Sequence, residues 1–452
     1  MAQAYAGSQR SNLVRAVVAS TVGTSIEWYD FLGYGTLAAL VFPKLFFPHA
    51  DPYVGALEAF STFFVGFLAR PVGAALFGHY GDRIGRKATL IATLLLMGLA
   101  TFAIGLLPTY AVLGSSAAFI LTALRVCQGL GVGGEWGGSS VLSLEWGSNR
   151  RRGFITSWPQ FGGPMGLILS TGVIAALLAI FPGEAFLTWG WRVFFLLSIV
   201  LVGVGLWIRL RILETPVFRE LLNSQRIERA PVVEVFRISW KEVLLSAVLR
   251  LPEQAPFYVF TTFILTYGVQ TLKFPRSFLV NGVVVAAGLA LILTPLFGWV
   301  SDRVGRKRTY LTGVVLMAVF GFVWVGMLNT GIGAIVFLAI SISLIAHDIQ
   351  YGPQGALIAE SFTGRVRYSG SAIGYHLASV IAGGPAPLIA AFLMATFHNA
   401  YAISIYILVC CILGFAATVL IPDRSGLDHT REYHEQEGAA AGAGPTRVQP
   451  ST

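Results

Sequence analysis

The chain contains two apolar halves that repeat the same motifs at the same distance. Residues 82–87 read DRIGRK, and residues 302–307, which lie 220 positions later, read DRVGRK. A second pair, the Gly-Gly-Pro steps at 162–164 and 383–385, is 221 residues apart. Two unrelated motifs with nearly one spacing indicate a duplicated half, and such a repeat constrains the whole fold. Tandem apolar halves joined by short basic loops are typical of secondary transporters.

The composition places the chain in a lipid bilayer. Of its 452 residues, 55% are hydrophobic and 12% are charged, whereas soluble domains carry about 25% charged residues. The net charge of +9 does not indicate a nucleic-acid partner, because the basic residues lie in short loops between apolar segments. Cys127, Cys410 and Cys411 lie in apolar stretches, so no disulfide framework is expected.

Twelve apolar segments reach the length of about twenty residues that crosses a bilayer. We predict spans at 14–41, 54–79, 88–108, 112–144, 153–181, 190–211, 241–270, 277–300, 309–328, 331–359, 369–396 and 398–421. The predicted fold is therefore an all-α membrane protein with two pseudo-symmetric six-helix bundles. The predicted units are bundles at 1–213 and 241–422, a linker at 214–240 and a disordered tail at 423–452.

The distribution of Lys and Arg predicts the orientation. One set of loops is rich in them, namely Arg83, Arg86, Lys87, Arg150, Arg151, Arg152, Arg219, Arg226, Arg229, Arg237, Arg303, Arg306, Lys307, Arg308, Arg365 and Arg367. The alternate loops hold only Lys44, Lys273 and Arg276. Because Lys and Arg concentrate on the cytoplasmic side, the first set is expected to be cytoplasmic. With an even number of spans, both termini are then expected to be cytoplasmic.

Ionisable residues recur on every third span. Spans one, four, seven and ten carry, in order, Glu27 and Asp30; Arg125 and Glu135; Arg250 and Glu253; His347 and Asp348. Such residues are costly inside a membrane and usually face a cavity or a partner. We therefore expect these four spans to surround a polar cavity, with spans three, six, nine and twelve against lipid. The alternative, that the charges only pair and brace the bundle, stays open.

The charges in this cavity indicate the chemistry of its ligand. Two arginines and several carboxylates suit an anionic or zwitterionic substrate held by guanidinium groups, with one carboxylate carrying a proton. The repeated loop motif adds a candidate latch. Its acid is placed to meet the N-terminal dipole of another helix, while a plain topogenic loop is the simpler alternative. The Gly-Gly-Pro steps predict either bending or close helix packing.

Several further motifs carry a family resemblance. They are EWYDF at 27–31, RPVG at 70–73, RVCQG at 125–129, GGEWGG at 133–138 and YGPQ at 351–354. The chain resembles the major facilitator superfamily throughout, and the combination is most similar to its metabolite:proton symporter family. The resemblance implies two six-helix bundles with a site between them. It also implies transport of compounds such as shikimate, α-ketoglutarate, citrate or proline/betaine by proton symport, a role for Arg125 in proton coupling and one for Asp82 in a conformational latch.

The resulting functional hypothesis is a proton-coupled importer of a small organic acid, either a mono-, di- or tricarboxylate or a shikimate-like acid, in the bacterial inner membrane. We expect a monomer that needs no cofactor beyond the proton gradient and no metal. The expected proton-coupling residues are Asp30, Glu27, Arg125 and Glu135. The expected substrate-binding residues are Arg125, Arg250, Gln128, Tyr29, Tyr258, Gln160, Glu253, His347 and Gln354. The expected latch residues are Asp82, Arg83, Arg86, Asp302, Arg303 and Arg306.

Other functions remain open at this stage. Uptake of a zwitterionic osmolyte fits the same charges, although the tail lacks the heptads of an osmosensing coiled coil. An antiporter of amphipathic compounds and a transport-incompetent receptor are weaker alternatives. An enzyme is not expected, because no metal-ligand cluster, nucleophile elbow or phosphate-binding loop occurs in the sequence.

Overall fold

The computed structural model describes residues 2–49, 52–223 and 228–425, and within these ranges the chain is helical without strands. Helical segments occupy the positions of all twelve predicted spans. In chain order they are α1 (Ala2–Leu40), α2 (Pro52–Ile84), α3 (Arg86–Leu106), α4 (Ser116–Trp146), α5 (Arg152–Ile180), α6 (Phe186–Leu210), α7 (Trp240–Leu249, Leu251–Tyr258, Val259–Phe263 and Ile264–Gln270), α8 (Arg276–Val304), α9 (Arg306–Asn329), α10 (Gly333–Ala359), α11 (Arg367–Phe397) and α12 (Tyr401–Leu420).

Ten of these helices, α2 to α6 and α8 to α12, are long and apolar enough to cross a membrane by length and composition. The other two, α1 and α7, are more polar along their length. Glu27 and Asp30 lie in α1, and Arg250 and Glu253 lie in α7. Because lipid offers no hydrogen bonds to the backbone, long helices are the expected form of such a chain.

The DRxGRK motifs form very short turns between helices. Helices α2 and α8 continue beyond their predicted ends at 79 and 300, so that Asp82 and Asp302 belong to the last helical turns. A single residue then separates each helix from the next. Gly85 has φ 115° and Gly305 has φ 104°. Residues with a Cβ atom rarely adopt this backbone region. We call the end of the molecule with these two turns the latch end.

The two Gly-Gly-Pro steps have different structures. Helix α5 continues without a break through its step, and a Cβ atom on Gly162 would lie 2.8 Å from the backbone nitrogen of Ser25 in α1. Glycine therefore allows α1 and α5 to pack closely, as small residues do between membrane helices. Helix α11 instead changes to a π turn at Ser379–Gly383, which ends two residues before Pro385. π turns are frequent at functional sites.

The predicted linker at 214–240 is also largely helical, with short helices at Pro216–Asn223 and Pro231–Ile238. Residues 224–227 lie outside the described part of the chain, as does the predicted tail beyond residue 425. The predicted unit boundaries therefore stay predictions.

An aromatic cluster connects the first and second halves. Trp28 and Phe31 from α1 and Phe67 from α2 share one buried core with Phe257 and Tyr258 from α7. The Tyr258 ring lies 5.7 Å from Phe67, and the Trp28 ring lies 5.8 Å from Phe257. This core brings the polar parts of α1, α2 and α7 close together.

Candidate functional site

Asp82 joins the two halves at the latch end. Its carboxylate accepts hydrogen bonds from the backbone nitrogens of Tyr368 (3.3 Å) and Ser369 (2.9 Å), in the first turn of α11. The Ser369 hydroxyl donates a third bond at 2.8 Å. The first amides of a helix have no partner within it and carry a partial positive charge. A carboxylate from α2 therefore caps a helix of the other half.

Asp302 makes the equivalent contact in the other direction. Its two oxygens accept hydrogen bonds from the backbone nitrogens of Gly153 (2.8 Å) and Phe154 (2.9 Å), at the start of α5. The duplicated motif thus produces two reciprocal contacts between the halves. The structure holds the latch end closed through both.

Each aspartate also belongs to a buried ion cluster. In the first cluster Arg86 lies 3.4 Å from Asp82 and 3.2 Å from Glu145, and Arg367 lies 3.5 Å from Glu145. The second cluster repeats this arrangement with Asp302, Arg306, Glu360 and Arg152, where Arg306 lies 2.5 Å from Glu360. Glu145 and Glu360 were not among the latch residues predicted from the sequence. A signal existed, because Glu145 and Arg152 recur as Glu360 and Arg367 at a common spacing of 215 residues.

The remaining predicted latch residues lie outside these clusters. Arg83 is exposed, with Nη1 3.5 Å from the Nε2 atom of His79. Arg303 is exposed too, and its guanidinium lies 3.6 Å above the Trp299 ring. Each of these contacts is with a residue four positions earlier in the same helix.

A hydrogen-bonded chain of ionisable residues occupies the second half. Arg250 contacts Glu253 at 3.1 Å, and Glu253 lies 3.3 Å from the Nε2 atom of His347. The Nδ1 atom of His347 lies 3.0 Å from Asp348. Gln354 donates a further bond of 3.1 Å to Glu253. A histidine between two carboxylates can hold a proton or pass it between them.

A small cavity lies between the halves next to this chain. Its walls include Trp28 and Gly163 from the first half and Glu253, His347 and Asp348 from the second. It has room for about one water molecule. The two halves thus meet around the cavity as well as at the latch end.

Contacts between amide and aromatic groups also connect the two halves. Gln160 in α5 accepts a 2.6 Å hydrogen bond from the Trp136 indole and lies 3.4 Å from Gln354 in α10. The Trp136 ring stacks on Tyr375 of α11 with centroids 3.5 Å apart. Arg250 completes the contact, donating to the Tyr375 carbonyl at 2.5 Å with its guanidinium 3.3 Å above the ring.

A second polar chain lies inside the first half. Arg125 donates to Gln128 at 3.1 Å, Gln128 donates to Thr101 at 2.7 Å, and Thr101 donates to Asp30 at 2.9 Å. The chain links α4 to α1 through α3. Asp30 still has one buried oxygen without a hydrogen-bond partner in the described structure, and the same is true of Glu27.

Glu135 lies apart from the cavity. It forms an ion pair with Arg209 of α6 and accepts hydrogen bonds from Thr93 (3.0 Å) and Ser139 (2.8 Å). The expectation that α6 only faces lipid is therefore incomplete. One face of α6 exposes Val204 and Trp207, while the opposite face buries Arg209. A helix has 3.6 residues per turn, so residues two to five positions apart can lie on opposite faces.

The two predicted tyrosines differ in position. Tyr29 stacks on Phe194 with centroids 4.5 Å apart and donates to the Phe194 carbonyl at 3.2 Å, so it contacts α6 rather than the cavity. Tyr258 lies in the aromatic cluster, and its buried hydroxyl has no hydrogen-bond partner in the described structure.

The sequence profile described as Major Facilitator Superfamily matches residues 30–384 and 282–447. The chain belongs to the Major Facilitator Superfamily. Its fold agrees with that of a solved superfamily member, the proton:xylose symporter XylE bound to 6-bromo-6-deoxy-D-glucose. The TM-score is 0.73 at 18% identity, and the alignment covers 92% of this chain and 98% of that one.

Curated superfamily relatives match nearly the whole chain. The shikimate transporter of Escherichia coli K12 is 41% identical over 413 residues, covering 90% of this chain and 94% of that protein. The inner membrane metabolite transport protein YhjE of the same strain is 37% identical, covering 85% and 88%. The proline/betaine transporter of that strain is 31% identical, covering 91% and 84%. This superfamily member is therefore a multi-pass metabolite transporter of the bacterial inner membrane and not an enzyme.

One buried residue of this superfamily transporter received no role from the sequence. Arg70 of α2 is 1% exposed, and its guanidinium carbon lies 3.9 Å from the ring centroid of Phe31 and 4.8 Å from that of Phe67. The signal that could have found it is its position inside an apolar span, directly before Pro71. The spacing of every third helix excluded it, because α2 is not one of the four helices in that series.

Proposed function

We propose that this protein is a proton-coupled symporter that imports a small organic acid by alternating access. The observation that carries the proposal is that two hydrogen-bond donors of Arg125 have no partner in the described structure. This arginine is buried within a membrane-spanning helix, yet its Nε and Nη2 atoms have no hydrogen-bond partner in the described structure. Buried donors without acceptors are costly. A substrate carboxylate offers the two acceptors that a guanidinium fork binds best.

The proton has a carrier within the same polar chain. Asp30 connects to Arg125 through Thr101 and Gln128 and retains one unpartnered oxygen. Bringing a second negative charge next to Asp30 in a low-dielectric interior is unfavourable unless one acid is neutralised. Binding of the anion therefore favours protonation of Asp30 or of nearby Glu27, which couples substrate entry to proton entry.

Alternating access in this proposal uses the two aspartate contacts. The latch end faces the cytoplasm, since its loops hold most of the loop lysines and arginines. Asp82 and Asp302 keep it closed while the site is loaded, and both contacts separate to release the substrate inward. Residues 1–213 and 241–422 move as the two bundles, 214–240 join them, and one chain is sufficient.

Among organic acids, a shikimate-like ring acid is the substrate we favour. The relative of highest identity named above is a shikimate transporter. The site offers aromatic surfaces for a carbon ring, with Trp28, Phe31 and Phe257 in one buried cluster. It also offers an unpartnered amide oxygen on Gln254 for a hydroxyl group.

The test is uptake of labelled shikimate into proteoliposomes. An inward proton gradient should drive accumulation, and a protonophore should abolish it while the membrane potential is held constant. Protein-free liposomes provide the background. Uptake that is unchanged by the protonophore would contradict the symport mechanism.

Uptake of a zwitterionic osmolyte is the second candidate. A relative that is 31% identical is a proline/betaine transporter. Glu27 and Asp30 each keep one unpartnered oxygen, and they alternate in the chain with the buried aromatic residues Trp28 and Phe31. Aromatic rings also bind a quaternary amine. Competition separates the two candidates, because excess betaine or proline should not reduce shikimate uptake if the site is selective for acids.

A further inference from the structure

Six arginine side chains are at most 1% exposed in the described part of the chain, and two of them lack an ion pair there. The six are Arg70, Arg86, Arg125, Arg209, Arg250 and Arg367. Four of them contact carboxylates: Arg86 and Arg367 in the ion cluster of Asp82, Arg209 at Glu135 and Arg250 at Glu253. Arg70 and Arg125 are the two exceptions. An unpaired guanidinium inside a membrane protein normally marks a functional site.

The two exceptions share one aromatic ring. The guanidinium carbon of Arg70 lies 3.9 Å from the centroid of Phe31, and that of Arg125 lies 4.4 Å from the same centroid. Because both guanidinium carbons lie within 4.4 Å of one ring centroid, they are no farther apart than twice that distance. A guanidinium stacked on a ring uses its face for the contact, which leaves its edges for hydrogen bonds.

The same edge is free in both arginines. In each, the Nε and Nη2 atoms are buried without a hydrogen-bond partner in the described structure. These two nitrogens point in the same direction and form the fork that binds both oxygens of one carboxylate. Arg250 does not offer this edge, because its Nη2 atom contacts Glu253 and its Nη1 atom donates to Tyr375.

We propose that Arg70 is a substrate-binding residue and that it forms, with Arg125, a two-fork carboxylate site beside Phe31. The assignment rests on the proposed function for its ligand class and adds a residue that the sequence left without a role. It also reassigns Arg250 from carboxylate anchor to a fixed partner of Glu253. Either both forks bind the same substrate carboxylate, or each fork binds a separate carboxylate.

The acids nearby complete the site without occupying the forks. Glu27 lies one helical turn before Phe31 in α1, and Asp30 connects to Arg125 through Thr101 and Gln128. One oxygen of each acid has no hydrogen-bond partner in the described structure. The site therefore contains two cations and two acids before the substrate enters. When a carboxylate enters, neutrality is restored if one acid takes up a proton.

The experiment measures binding of shikimate to the purified full-length protein by titration calorimetry in buffers with different ionisation enthalpies. The wild-type protein should bind shikimate and take up a proton. Arg70→Lys keeps the charge but removes the fork, so its Kd should rise about tenfold or more. The matched control is Arg303→Lys, the same change at the exposed arginine on Trp299, which should bind like wild type.

A second variant tests the site without replacing either arginine. A Cβ atom on Gly66 would lie 2.6 Å from the Nε atom of Arg125, so Gly66→Ala should obstruct that fork and weaken binding as well. This variant replaces Arg70→Lys if the latter does not fold. If Arg70→Lys folds and binds shikimate with wild-type affinity, the two-fork site is wrong. If Arg70→Lys does not fold, wild-type affinity in Gly66→Ala has the same meaning. Those outcomes leave the symport proposal intact. Succinate is titrated into the wild-type protein as a second acid. The symport proposal itself is contradicted if the wild-type protein binds neither acid, or if it binds without taking up a proton.

Discussion

Asp82 and Ser369 are 287 residues apart in the chain and form two hydrogen bonds, 2.9 Å to the Ser369 nitrogen and 2.8 Å to its hydroxyl. They connect the end of α2 to the start of α11. Asp302 repeats the connection from α8 to α5. The closed latch end therefore depends on two helix caps that come from the opposite half.

Asp82→Asn should shift the transporter toward the form that is open at the latch end. The change removes the charge that meets the helix N-terminus and weakens the hydrogen bonds to Ser369, a loss of about 2 kcal/mol for the closed form. Spin labels at the exposed positions Ile84 and Val304 would report the opening as a longer distance. Asp302→Asn should act in the same direction.

Arg83→Ala is the control for that experiment, because Arg83 is exposed and lies outside both ion clusters. It should leave the spin-label distance unchanged. An unchanged distance in Asp82→Asn as well would exclude the aspartate as a latch.

Glu135→Gln should lower the thermal stability of the purified protein. Arg209 would remain buried without its charged partner, which typically costs about 3–5 kcal/mol. Replacing both residues with methionine should recover much of the stability, since a buried ion pair and an apolar pair of similar volume differ little. Thermal unfolding followed by Trp fluorescence measures both variants. A Glu135→Gln protein with normal stability but no proton coupling would instead favour the predicted coupling role.

Asp30→Asn should separate substrate binding from proton movement. The amide keeps the shape of the side chain and its contact with Thr101, but it cannot take up a proton. We expect shikimate exchange across the membrane to continue while accumulation driven by the proton gradient is lost. Tyr29→Phe is the neighbouring control, and it should cost about 1 kcal/mol of stability with coupled uptake intact. Gradient-driven accumulation by Asp30→Asn would place the coupling acid elsewhere.

Gly85→Ala should destabilise the protein more than Gly305→Ala does. Both glycines have positive φ, so each alanine brings a backbone strain of about 1–2 kcal/mol. At Gly85 the new Cβ would also lie 2.3 Å from an oxygen of Glu214, which caps α3 by accepting from the Arg86 and Lys87 nitrogens. At Gly305 nothing lies within 4 Å. Equal losses in thermal stability would indicate that the Glu214 cap contributes nothing.

The positions of the helices and the equivalence of the two halves were predictable from the sequence. Lipid requires every backbone polar group to be satisfied within the segment, so long apolar stretches can only be helices. The repeated DRxGRK motif likewise predicted that Asp82 and Asp302 play the same part. Their capping of opposite helices follows from the dipole of a helix N-terminus, although the helices they cap could not be named in advance.

Which charges meet each other was decided only by the tertiary structure. The sequence placed Glu135 with Asp30 and Arg250 with Arg125, yet Glu135 pairs with Arg209 and Arg250 pairs with Glu253. Arg70 had no assigned role until the structure placed both its guanidinium and that of Arg125 against the Phe31 ring. The reason is geometric, since hydropathy determines that a segment crosses the membrane but not which of its faces meets which neighbour. That choice depends on packing between helices distant in the chain, and it determines which guanidinium groups remain free to bind a substrate.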